Sequence, residues 1–179
     1  STMAPSVLVE RAMEDGVAVL RMKYRRSPIP KTTSFRYACG VISAYRSVLK
    51  DGFRPDLIHA HFYPAALPAV ILGKLFGVPV LLTEHSASFA VGLTGVTKLE
   101  AKFSLGRVRL LIAVSGSLRD QMESCGVRGE FRVIPNPVDT DTFFPNPPQR
   151  PSPGEKKRIL TVARLHPIKE LPTLLRALA

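Results

Sequence analysis

The chain has 179 residues, 45% of them apolar and 22% charged, which is material for one large domain or for a domain and part of another, and it excludes a disordered polyampholyte. The longest run without Lys, Arg, Asp or Glu, Leu57–Gly73, is interrupted by His59, His61, Pro64 and Pro68, so it reads as a buried strand and helix and excludes a membrane span. The formal charge of +11 is uneven: residues 1–50 hold nine Lys/Arg against three Asp/Glu, and the last 29 residues hold six against two. Ends of that kind suit phosphate groups, an anionic membrane face or simply water.

Taken in chain order, "GVAVLRMKY" (Gly16–Tyr24) alternates like a strand. Ser34–Gly52 predicts an amphipathic helix, with Ser34 as its N-cap and Gly52 just past its end. A short strand follows at Pro55–His61, then a broadly apolar helix at Pro64–Gly77 and a continuous apolar strand at Val78–His85. After the loop "SASFAVGLTG" come a helix at Val96–Arg109, a strand at Leu110–Ser115, a helix at Ser115–Gly126 capped by Ser115, and a strand at Phe131–Asn136. A proline-rich connector leads to "KRILTVARL" (Lys157–Leu165) and a closing amphipathic helix, a new βα unit opened in the last residues. Strands alternating with helices predict a parallel α/β sheet. Cys39 and Cys125 are isolated and belong to no C-x-x-C pattern, which fits a reducing compartment.

In a parallel α/β sheet ligands collect beyond the carboxyl ends of the strands. That rule singles out His59, His61, Glu84, His85, Ser115, Asn136 and Arg164. His85 ends an apolar strand, where an imidazole can donate a hydrogen bond or carry a proton, or can simply be satisfied by the loop backbone. Glu84 points the other way from it while the strand continues. His59 and His61 lie at i, i+2, but no third and fourth ligand at metal spacing accompanies them, so a structural role is expected for at least one. Arg164 and Lys169 flank the turn before the last helix; two cations beside free helix N–H groups can hold a diphosphate, and the plainer reading is an ordinary basic βα loop. The "DTD" at Asp139–Asp141 sits in the connector and reads as a turn or cap before it reads as a metal site. G-x-G-x-x-G, the phosphate loop G-x-x-x-x-G-K-[ST] and G-x-S-x-G are all missing, which removes the main support for dehydrogenase, NTPase and α/β-hydrolase chemistry.

Four segments stand in register with one family: "DLIHAHFYPAALPAVILGKLFGVPVLLTEHS", "LLIAVSGSLRDQM", "RVIPNPVDTDTFFP" and "ILTVARLHPIKELPTLLRALA". Over about Pro55–Ala179, and more weakly in the part before it, the chain resembles the group 1 (family 4) glycosyltransferases, retaining enzymes of the GT-B fold. The resemblance implies a Rossmann-like parallel sheet with flanking helices in an incomplete GT-B architecture. Its expected parts are an acceptor-side domain at 1–136, a linker at 137–156 and, at 157–179, the first βα unit of a donor-binding domain. Ala163 and Glu170 stand where that family commonly has glycine, and Asn136-Pro137 replaces the common Asn-Gly. The family's opening strand with its Gly-rich loop and its acidic E-x7-E motif have no counterpart in the sequence, so the chain is expected to be a fragment, inactive by itself.

By that resemblance the donor is a nucleotide-diphosphate sugar and the acceptor a carbohydrate or a lipid-linked molecule. Arg164 and Lys169 take the donor diphosphate and His85 is the catalytic residue, with His61, Glu84, Ser86 and Asn136 on the acceptor side or in the cleft. No metal and no other cofactor is implied. The expected location is cytoplasmic, with the basic first 50 residues in peripheral contact with an anionic membrane. The alternative is a non-catalytic basic α/β module on polyanions or a membrane surface. No nucleic-acid-binding motif or aromatic stacking platform is present in the sequence, and nucleic acid is not an expected partner.

Overall fold

The computed structural model describes residues 7–24, 30–86, 89, 93, 95–145 and 159–178, in two compact units that divide after Pro137. The first unit opens with an antiparallel hairpin, β1 (Val7–Glu14) and β2 (Val17–Tyr24), paired from Glu14↔Val17 outward. Its turn is Asp15-Gly16, both with positive φ (49° and 80°), the backbone that a two-residue hairpin loop demands. Val7–Glu14 is a strand that the sequence reading did not predict. The missed signal was Asp-Gly between two alternating runs.

Helix α1 (Pro30–Lys50) starts one turn earlier than expected, so Ser34 lies inside it and is not its N-cap. Proline suits the first helical position, where its missing N–H has no intrahelical partner to lose. An Arg11–Asp51 ion pair of 2.6 Å ties the hairpin to the residue just past the helix, and the rings of Tyr45 and Phe76, 5.0 Å apart, join the helix to the next one.

The remainder of the unit is one α/β layer pair. Strands β3 (Ile58–His61), β4 (Val80–Glu84), β5 (Leu110–Ala113) and β6 (Phe131–Val133) form a parallel sheet in the order β3-β4-β5-β6. They alternate with a 3₁₀ turn (Tyr63–Ala65) leading into α2 (Ala66–Phe76), then α3 (Gly95–Leu105) and α4 (Gly116–Ser124). When consecutive strands are added in one direction, right-handed crossovers place every connecting helix on the same face. Buried residues of all three helices, among them Ala69, Leu105 and Met122, accordingly join one cluster with Ala60, Val80, Leu82, Leu111 and Ala113. The short strands end where the apolar runs meet polar residues, a little inside the expected limits.

Two helix ends match their sequence signals. Ser115 Oγ accepts the Leu118 N–H at the start of α4, and Gly77 closes α2 in the left-handed conformation at φ 69°.

The second unit contains a 3₁₀ turn at Pro167–Lys169 and helix α5 (Leu171–Leu178). The strand expected at Lys157–Leu165 is not found: Lys157 and Arg158 lie outside the described residues, and Ile159–Arg164 pairs with no strand among them. Leu160, Val162 and Leu165 are 87%, 89% and 93% exposed. An alternating apolar pattern specifies extended backbone, but a ladder also needs a neighbouring strand to take up its N–H and C=O groups.

The α2–β4 contact is tight at Gly73, where an added Cβ would lie 2.5 Å from Val80 Cγ2 and 2.7 Å from the Val78 carbonyl oxygen. Gly73→Ala is expected to cost about 1–3 kcal/mol despite alanine's better helix propensity, because backbone and not a flexible tip must yield. Gly116→Ala, where nothing lies within 4 Å, should be neutral or stabilising. Urea midpoints of the two variants check the pair, and equal values would show that the contact is slack.

Candidate active site at the ends of strands β3 and β4

Strands β3 and β4 are in parallel register with His61 opposite Thr83. Side chains alternate along a strand, so His59, His61, Thr83 and, two residues on, His85 share one face, while Ala60, Leu82 and Glu84 turn to the helix-covered core. On the first face His59 Nε2 lies 2.8 Å from Thr83 Oγ1, and His61 Nδ1 lies 3.0 Å from His85 Nε2. The three imidazoles form a row, with centroids 4.4 Å apart for His59–His61 and 5.2 Å for His61–His85, the latter stacked at 19°. A bond between two imidazole nitrogens needs one proton on one of them and a lone pair on the other, so the tautomer of each ring constrains the other. The pKa of His59 is held below its ordinary value, chiefly by lost hydration and then by the neighbouring His61 and His85.

Glu84 is fully buried, 0% exposed, at the opposite face. Its Oε2 accepts the Tyr63 N–H at 2.8 Å; its Oε1 accepts the N–H groups of His85 at 3.1 Å and Ser86 at 2.9 Å. One carboxylate thus ties the exit of β3 to the exit of β4. Burial raises its pKa, and the three N–H bonds and His85 oppose that rise. In this chain Glu84 lines no open surface. It acts on the backbone that carries the histidines.

Between His61 and Tyr63, Phe62 adopts φ 64°, ψ 145°, a region that essentially only glycine enters without strain. Three hydrogen bonds hold it there: its N–H to the Thr83 carbonyl at 2.9 Å, the Ala65 N–H to its own carbonyl at 3.1 Å, and the Tyr63–Glu84 bond. Strain of this kind costs about 1–3 kcal/mol. The ring is 47% exposed, its centroid 5.2 Å from that of His85.

The other expected site residues are placed separately. Ser86 is half-buried and bound to Glu84 through its backbone, and Asn136 is exposed three residues past the end of β6. Arg164 and Lys169 belong to the second unit; both are exposed, and neither meets a carboxylate among the described residues. Asp139 builds a turn, accepting the Asp141 and Thr142 N–H groups and the Thr142 hydroxyl, which holds its carboxyl below the usual range. Among the described residues no group of three His, Cys, Asp or Glu is arranged to hold a metal ion. A hollow of about 530 Å³ opens between α1, α2 and α3, lined by Phe35, Cys39, Tyr63, Ile71, Glu100 and others; neither His61 nor His85 lines it. Sequence reasoning missed the roles of Phe62 and Thr83, since neither residue type marks a site and backbone strain has no sequence signature for phenylalanine.

The sequence profile described as Glycosyltransferase Family 4 matches residues 7–142. The chain belongs to this family. Its α/β fold, a four-stranded parallel sheet with flanking helices, is also that of GT-B glycosyltransferases of known structure. A sucrose-phosphate synthase from Thermosynechococcus elongatus matches at TM-score 0.55 and 21% identity, over 80% of this chain and 37% of that one. A second structure of the same synthase matches at TM-score 0.51 and 18% identity, over 78% of this chain and 73% of that one. At such identities the likeness is one of fold, and the chain spans little more than a third of the longer synthase structure. No curated protein matches. The match to the family takes in the hairpin and α1, where the motifs carry the resemblance more weakly, and extends to Thr142.

Two measurements probe the strand-end geometry. Glu84→Ala leaves three N–H donors without their acceptor and should cost on the order of 3 kcal/mol, with Glu84→Gln, which keeps one carbonyl oxygen, clearly milder. A loss under about 1 kcal/mol in the alanine variant, read from urea unfolding, would mean that water replaces the carboxylate. For His59 the folded pKa lies below the unfolded one, so the unfolded chain binds the extra proton in the window between them. Stability is therefore full above the ordinary value of 6.5 and falls as pH drops through that window. The native chain should lose more stability than His59→Asn between about pH 7 and 5, and parallel pH profiles would contradict the assignment.

Proposed function

We propose that the protein is a retaining glycosyltransferase that moves a sugar from a nucleotide-diphosphate donor to a carbohydrate or lipid-linked acceptor. The observation that carries this reading is the His61–His85 pair, set by Glu84 at the carboxyl end of a parallel sheet in a family 4 domain. His85 is the residue that touches the donor sugar or the acceptor at the reacting centre. Arg164 and Lys169 face the diphosphate and offset the negative charge that grows on it as the glycosidic bond breaks. With two fixed cations in that role, the reading assigns the neutralisation to side chains and requires no metal ion.

The division after Pro137 supports assigning residues 1–136 to the acceptor side, 137–156 to a linker and 157–179 to the start of the donor side. The excess of nine Lys/Arg over three Asp/Glu in residues 1–50 favours an acceptor presented at an anionic membrane, with the protein peripheral on its cytoplasmic face. No helix among the described residues is long and apolar enough to cross a membrane.

Release of nucleotide diphosphate from UDP-, GDP- and ADP-sugars by the full-length protein tests the reading. Arg164→Ala and Lys169→Ala should each lower kcat by about 100-fold or more, the usual effect of removing one preorganised charge-stabilising group. Unchanged rates in both variants would refute their roles. Salt-sensitive binding to polyanions that survives both substitutions, with no turnover of any donor, would favour a basic binding module instead.

A further inference from the structure

We propose that Phe62 is a stacking platform for a pyranose unit of the acceptor, with the imidazoles of His61 and His85 at its rim as hydrogen-bonding partners for the sugar hydroxyls. This rests on the transferase reading of the same strand ends and adds to it the residue that grips the acceptor.

The backbone supplies the first argument. At φ 64°, ψ 145° glycine would sit without strain, and the hydrogen bonds that fix Phe62 all use main-chain atoms of Phe62 and Tyr63. The phenyl ring is not needed for any of them. Nor does it belong to the hydrophobic core, since it is 47% exposed and absent from the buried cluster. A strained backbone carrying a half-exposed ring outside the core is poorly explained by the fold alone, and such outliers gather at ligand sites.

The surroundings supply the second. The ring is tilted at 48° to His85, centroids 5.2 Å apart. The bond between His61 Nδ1 and His85 Nε2 leaves His61 Nε2 and His85 Nδ1 without a partner among the described residues. An apolar ring face bordered by imidazole nitrogens fits a molecule with one C–H face and a hydroxyl edge. A pyranose has that form: its axial C–H bonds meet the negative face of the ring, and its hydroxyls reach the polar rim. The segment Leu57–Gly73 that carries Phe62 has no Lys or Arg, so it offers a phosphate no cation of its own.

Methyl α- and β-pyranosides of glucose, galactose and mannose, titrated into the full chain and followed through the side-chain NMR signals of Phe62 and His85, test the proposal. At least one sugar should bind the native protein. Phe62→Gly should weaken it about tenfold with an unfolding midpoint no lower than that of the native chain, and Phe62→Tyr should keep the affinity. The proposal is overturned if no pyranoside moves either signal, if Phe62→Gly binds as well as the native chain, or if Phe62→Gly unfolds markedly earlier and so reveals a structural ring. The titration uses no nucleotide sugar, so its failure leaves donor turnover to be judged separately.

Discussion

One buried carboxylate organises the carboxyl end of this sheet. Glu84 is the last residue of β4, where a parallel strand would normally leave its final N–H groups to water or to a loop. Its side chain turns inward and takes three N–H donors from two successive connections, those of Tyr63, His85 and Ser86. Removing a carboxylate from water is costly, and only several charge-assisted bonds make the ionised form tolerable there. The direction of its pKa shift, upward, says that burial still outweighs those bonds. A group held in that balance fixes both loops at once, because neither can move without leaving charge or donors unmatched.

Parallel register does the rest. With Thr83 opposite His61 at the end of β3, the residue two past Thr83 lies one pleat further along on the same face, and the His61–His85 contact follows. The strand order explains why that face is available for chemistry: the crossover helices α2, α3 and α4 crowd the other side, where Leu82, Leu111 and Ala113 form the core. Core and site are thus the two faces of the same strands, and the pleat separates them residue by residue.

This separation also explains what could be read from the sequence. Apolar runs and their polar ends located β3 to β6 to within a few residues, and the opposite orientation of Glu84 and His85 followed from alternation alone. Ser115 and Gly77 were legible because a cap is a local event with its own residue chemistry. The hairpin was legible too, through Asp15-Gly16, but was passed over. Other features were set by tertiary contacts that no local pattern announces: the three-way use of Glu84 and the conformation of Phe62. The alternation of Ile159–Arg164 reads as strand whether or not a neighbour is present, and it pairs with no strand among the described residues.

The motif resemblance leads one to expect glycine after Lys169, where this chain has Glu170. Glu170 adopts φ 50°, the left-handed conformation that glycine enters freely. For a side chain that conformation costs roughly 1–2 kcal/mol. Glu170 has a partial offset that glycine lacks: its carboxylate accepts the Thr173 hydroxyl at 2.8 Å. Its carbonyl accepts the Thr173 N–H at 2.9 Å at the start of α5, as a glycine carbonyl would. The preceding turn closes through the Lys169 N–H on the His166 carbonyl at 2.9 Å. The exchange of glycine for glutamate therefore alters the strain at this turn, while the chain still enters the helix by the left-handed step that glycine would take. What the carboxylate adds is a negative charge one residue from Lys169, so any anion held by that lysine meets a weaker local field than it would beside glycine.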